Sequence, residues 1–178
     1  MRITRVKLAI GAALVGALAV GAVAAATGGD NVREKLTGYQ EVPALSTPGS
    51  GEFRAFVSRS GEKIRYRLTY GHLESDATQA HIHFENATNN GGIVAFLCTN
   101  LGNAPAGTDP PACPPGGGTV SGTLTPADVS AGAAAQGIAA GEFSELVDAI
   151  KAGATYVNVH SADRPGGEIR AQLELSRH

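Results

Sequence analysis

Between residues 51 and 70 the chain alternates apolar and polar side chains twice, on either side of one glycine turn. Phe53, Ala55 and Val57 share one parity. After Ser60-Gly61-Glu62, Ile64, Tyr66 and Leu68 share another, with Lys63, Arg65, Arg67 and Thr69 between them. Successive side chains of a strand point to opposite faces, so a period of two fits only a half-buried strand. Two such runs about a short turn predict a β-hairpin. Further strands are predicted at residues 80–84, 119–124, 155–160 and 168–175. Residues 93–98 form a nearly continuous apolar run, expected of a strand buried on both faces. Residues 27–35 read as a loose polar arm. Residues 35–42 open the fold as a strand that Pro43 breaks. A 3.6-residue period occurs at Phe143, Leu146, Val147 and Ile150, and predicts one helix over 142–152 with Gly153 just past its end. The expected architecture is mainly β: a Greek-key β-sandwich or barrel with one short helix.

The first 26 residues stand apart from this pattern. Arg2, Arg5 and Lys7 precede an apolar run at residues 8–23, followed by Ala24, Ala25 and Ala26. That is the order of a cleavable signal peptide, and the run is short of the ~20 residues that span a bilayer. The expected organisation is a signal peptide at 1–26 and one domain at 27–178, secreted or held at the cell surface. The Ala/Gly-rich leader reads as bacterial. Without residues 1–26, 11 basic residues face 16 acidic ones. Such a balance argues against nucleic acid, and against an anionic membrane surface after cleavage. Cys98 and Cys113 flank a Gly/Pro/Asn-rich segment. In an oxidising compartment they are expected to form a disulfide, being too far apart in sequence for short zinc or redox motifs.

Four strings in order resemble the chordin-type (CHRD) domain family: residues 36–43 (LTGYQEVP), 80–83 (AHIH) with 91–94 (GGIV), 153–161 (GATYVNVHS) and 165–173 (PGGEIRAQL). The resemblance spans residues 35–175. It implies an exported β domain and specifies no activity.

His81 and His83 lie two apart on a predicted strand and so share a face, ~7 Å apart along it. His160 closes another predicted strand. Three neutral imidazoles on one outer face suit Cu or Zn with a coordination position left open. His72, in a turn, and His178, the last residue, lack such company. Asn158, Glu168 and Arg170 share an outward parity with His160 or the last strand. They are candidates to orient the imidazoles, or else an ordinary surface pair. The His-x-His pair with a later His is also similar to the copper ligands of copper/zinc superoxide dismutase, another Greek-key barrel, although no cluster here matches that family's zinc site. There is no nucleophile–base pair at a telling spacing, no phosphate loop and no catalytic carboxylate pair. The reading is an extracytoplasmic binding module for a metal ion or an extracellular partner. The alternatives are a mononuclear copper or zinc enzyme and a purely structural surface protein.

Overall fold

The predicted hairpin forms the middle of the sheet. The computed structural model describes residues 30–176, so the predicted signal peptide and His178 lie outside the described residues. Strand β2 (Ser50–Val57) pairs along its length with β3 (Ile64–Gly71), and every second residue of β3 is buried. Six further strands complete the sheet: β1 (Asp30–Thr37), β4 (Ala77–Phe84), β5 (Gly92–Thr99), β6 (Gly117–Leu124), β7 (Thr155–Ser161) and β8 (Ile169–Gln172). All neighbours are antiparallel, in the order β5-β4-β7-β8-β1-β2-β3-β6. The order jumps from β3 to β6 and slots β7–β8 between β4 and β1, which is a Greek-key arrangement. The edge strands β5 and β6 approach each other, so the sheet curls into a nearly closed barrel.

The barrel interior is apolar, with Leu36, Phe53, Leu68, Ile82, Val157 and Ile169 all fully buried. Tyr66 reaches across it and donates its hydroxyl to the Leu97 carbonyl on β5 at 2.7 Å. Its strand partner on β6 is Gly122, where a Cβ would lie 2.6 Å from the Tyr66 hydroxyl, so only glycine leaves room for the ring. The predicted helix is α1 (Phe143–Lys151), buried through Phe143, Leu146, Val147 and Ile150. Gly153 follows it at φ 68°, a left-handed position that favours glycine. Pro126 opens a single 3-10 turn, in which the Thr125 backbone and hydroxyl both donate to the Asp128 carboxylate.

The chain entry differs from expectation. Residues 30–35 are not a loose arm: they belong to β1, whose Val32 and Leu36 are buried while Arg33 and Lys35 are exposed. Two apolar residues among polar ones carried too little periodic signal. The strand then stops at Thr37, short of Pro43, because residues 38–40 turn as a 3-10 helix. Gly38 packs there so closely that a Cβ would lie 2.7 Å from the Leu45 carbonyl oxygen. In β5, Val94, Ala95, Leu97 and Cys98 are buried, but Ile93 and Phe96 are only half-buried, so its outer face is partly open.

Cys98 on β5 and Cys113, shortly before β6, are joined as a disulfide with Cα atoms 5.1 Å apart. The bond ties together the side where the barrel does not close by strand pairing. Asn100 fastens the same loop, donating to the Ala77 and Cys113 carbonyls and accepting from the Cys113 amide. The bridge closes a loop with a sequence separation of 15, for which chain entropy gives about 3 kcal/mol. Reduction is expected to lower the urea midpoint by an amount equivalent to that figure. Equal midpoints for oxidised and reduced protein would contradict it.

Candidate metal centre

Strands β4 and β7 lie side by side, with His81 opposite Asn158 and His83 opposite Tyr156. Their alternate residues, Ala80, Ile82, Val157 and Val159, enter the apolar core. His81, His83, Tyr156, Asn158 and His160 therefore share the other face, joined from β8 by Arg170, the partner of Asn158. The sequence places this set on an outer face, where it would be exposed. In the structure it is covered: His81 is 0%, His83 7% and His160 6% exposed. The cover is residues 86–91, the turn at 165–167, and Glu41.

The cover also orients the rings. A carbonyl oxygen can only accept, so a ring nitrogen bonded to one must carry the proton. His83 Nδ1 donates to the Gly91 carbonyl at 3.0 Å, and His160 Nδ1 donates to the Pro165 carbonyl at 2.9 Å. In neutral imidazole the Nε2 atoms of both rings are then lone-pair donors turned inward. His81 Nδ1 lies 3.2 Å from His160 Nε2, and the Asn158 side-chain oxygen lies 3.0 Å from that same nitrogen. His81 Nε2 and His83 Nε2 are buried without a hydrogen-bond partner.

Electrostatics keep the cluster neutral. Burial pushes His81 down to about 2, helped by the neighbouring His160 and His83. Burial pushes His83 down to about 4 against the opposing effect of the Gly91 carbonyl. Burial also lowers His160, again opposed by its carbonyl partner at Pro165. The three rings each offer a ligand atom, all within 4.8 Å of one another. Nitrogens bound to one tetrahedral Zn at 2.0–2.1 Å stand ~3.3 Å apart, so a pair near the outer limit must close by roughly 1.5 Å on binding. The 3.2 Å pair already has the separation of two tetrahedral ligands. The donor set therefore fits a borderline-soft divalent ion such as Zn or Cu.

The three candidate orienting residues separate. Asn158 touches His160 directly. Glu168 and Arg170 are not an outward surface pair: they are 0% and 1% exposed. Glu168 precedes β8 and accepts from the Thr47 hydroxyl at 2.6 Å, the Glu74 amide at 2.8 Å and the Ser161 hydroxyl. It ties together three loops around the site and touches no imidazole. Arg170 donates to the Asn86 and Asn89 carbonyls and the Asn90 side chain. Its guanidinium lies 3.4 Å from the centre of the Tyr156 ring, which in turn stacks on His83 at 4.7 Å. Arg170 thus holds the asparagine-rich cover down and braces His83 through Tyr156.

Sequence reasoning missed Tyr156, Glu41 and Phe96, which packs edge-on against His81 at 4.4 Å. Tyr156 has the right parity with Asn158 and His160, so alternation alone was a usable signal for it. Nothing local marks Glu41. Burial raises its carboxyl to about 7, partly opposed by Arg170. Gly167, at φ 123°, lets it approach, because a Cβ there would lie 2.6 Å from Glu41 Oε1 and 2.8 Å from Asn158 Nδ2. His72 is exposed and stands apart from the cluster.

Fold and site together define a small antiparallel barrel module with a covered histidine cluster on its outer face. The chain belongs to the CHRD domain family, whose sequence model matches residues 32–173. This is an extracellular-type domain, and among the described residues no helix is long and apolar enough to cross a membrane. No curated protein and no solved structure matches the chain.

Proposed function

We propose that this chain is an exported binding module that holds one Cu or Zn ion through His81, His83 and His160. The observation that carries the reading is the paired backbone anchoring of His83 and His160. Both Nδ1 atoms are spent on carbonyls, which turns both Nε2 atoms inward: His83 Nε2, like His81 Nε2, is buried with nothing to bond, and His160 Nε2 meets His81 Nδ1 and the Asn158 side chain. Metal-ligating histidines are oriented in this way, and a buried polar nitrogen without a partner otherwise costs about 1–3 kcal/mol. When bound, the ion would supply Lewis acidity or, for copper, a redox couple. The chain's own contribution is to keep the imidazoles neutral and aimed. The closed cover favours holding an ion over turning over a substrate, because turnover needs a coordination position that solutes reach. The leader at residues 1–26 and the disulfide support an extracytoplasmic setting.

Calorimetric titration of tag-free, chelator-treated protein tests the site. One equivalent of Cu(II) should bind more tightly than Zn(II), following the general order for nitrogen ligands. His81→Ala, His83→Ala and His160→Ala should each weaken binding at least tenfold, whereas His72→Ala should leave it unchanged. Equal binding by wild type and His81→Ala would refute the site.

A further inference from the structure

The outer face of β1–β2–β3, on strands that contribute nothing to the histidine cluster, has its own chemistry. Arg33 stands opposite Arg54, and Arg54 opposite Arg67, so three arginines line up across three adjacent strands. Strands lie ~4.8 Å apart, and like charges directly opposed weaken a sheet. Lys35 and Arg65 flank the row on the same face. Five of the 11 basic residues that follow residue 26 are thus gathered here, in a stretch of chain with 16 acidic ones.

Local carboxylates do not neutralise the row. Glu52 bonds both Arg33, at 3.0 Å, and Arg54. These two arginines keep 61% and 53% of their side-chain surface exposed. Arg67 is exposed, with no ion pair among the described residues. A shallow groove of about 450 Å³ runs across Arg33, Arg54, Arg65 and Arg67. Beside it β6 presents the exposed hydroxyls of Thr119, Ser121 and Thr123, opposite Thr69, Arg67 and Arg65.

We infer that this face binds an acidic polysaccharide through its carboxylate groups. Guanidinium forks pair bidentately with carboxylates, and the repeat of the row matches an extended chain that carries anions at intervals. The flanking hydroxyls suit sugar hydroxyls. A nucleic acid strand would need aromatic faces for its bases. The aromatic side chain on this face, Phe56, is capped by the Arg65 guanidinium at 5.1 Å. A membrane would need apolar side chains to insert. The exposed large hydrophobics among the described residues, Tyr39 and Leu101, lie outside these strands, on the 38–40 turn and the loop after β5.

The test is titration of the whole protein with polygalacturonate at two salt concentrations, with neutral dextran as control. Wild type should bind polygalacturonate and not dextran, more weakly at the higher salt. Arg67→Gln should lose roughly tenfold, as for one charge-assisted contact, and Arg54→Glu/Arg67→Glu considerably more. Lys151→Glu on α1 should not change it. Arg67→Gln removes an unpaired exposed charge and should melt no lower than wild type, so it decides the matter even where the double variant fails to fold. Unchanged binding by Arg67→Gln, equal binding of dextran, or tighter binding of oligothymidylate or phosphatidylglycerol vesicles would overturn the inference.

Discussion

Glu168→Ala is expected to destabilise the protein by about 3–5 kcal/mol, the range for removing one member of a buried, fully bonded charged network. The carboxylate is 0% exposed. Its loss strands the buried hydroxyl of Ser161 and the part-buried hydroxyl of Thr47 and amide of Glu74. Unmade bonds of this kind cost about 1–3 kcal/mol each, and the missing side chain adds a cavity. Glu168→Gln should cost much less, roughly 1 kcal/mol, because the amide oxygen can keep the Thr47 and Glu74 bonds while its NH2 group donates to the Ser161 hydroxyl. Urea denaturation of the two variants gives the comparison. Equal, small losses for both would mean that the loops are held by other contacts. The same network fixes the turn at 165–167 that presents the Pro165 carbonyl to His160. Glu168→Ala should therefore also weaken metal binding, although Glu168 touches no ligand.

Much of the barrel was legible in sequence because its strands bury one face. Tyr66 and Leu68 alternate with Arg65 and Arg67, and the period of two survives into the structure unchanged. The same rule misled at β7 and β8. There the outward parity is Tyr156, Asn158, His160 and Arg170, polar enough to read as solvent-facing. It is instead buried under residues 86–91 and the 165–167 turn. Local alternation reports which residues share a face and is silent on whether a distant loop covers that face. The coming-together of His81, His83 and His160 was accessible, since it needed only two strands to be neighbours. The roles of Arg170 and Glu168 were not, since their partners lie from 7 to 121 residues away in sequence. Glu41 was hidden for a further reason. Its burial depends on Gly167, whose missing side chain matters only once two loops are packed together.

Metal-free protein is expected to lose stability as the pH falls from 6.5 towards 4. In the unfolded chain the three histidines protonate near 6.5. In the folded protein burial holds His83 at about 4, His81 at about 2 and His160 below its ordinary value. Below 6.5 the unfolded state therefore binds more protons than the folded state, and stability falls with falling pH. The contribution is fully present above pH 6.5 and is lost progressively on approach to the folded values. Glu41 works in the opposite sense. Its folded carboxyl titrates at about 7 and takes up a proton while the unfolded one is still ionised, so it adds stability as the pH falls from 7 to 4.5. Three histidines outweigh one carboxyl. At 1.36 kcal/mol per pKa unit and group, His81 and His83 set against Glu41 give a net loss of about 3 kcal/mol by pH 4, and His160 adds to it in the same direction. Urea melts in chelator across this range measure it. Glu41→Gln, which cannot titrate, should steepen the decline between pH 7 and 4.5, and His72→Ala should not alter it. A flat profile would mean that the cluster is hydrated and protonates in place. Adding Zn(II) at 100 times its dissociation constant should raise stability at pH 7 by about 2.7 kcal/mol. Because the folded ligands stay neutral, that increment should persist through the acid decline and shrink only near pH 4, where protons begin to compete with the metal for His83 in the folded site.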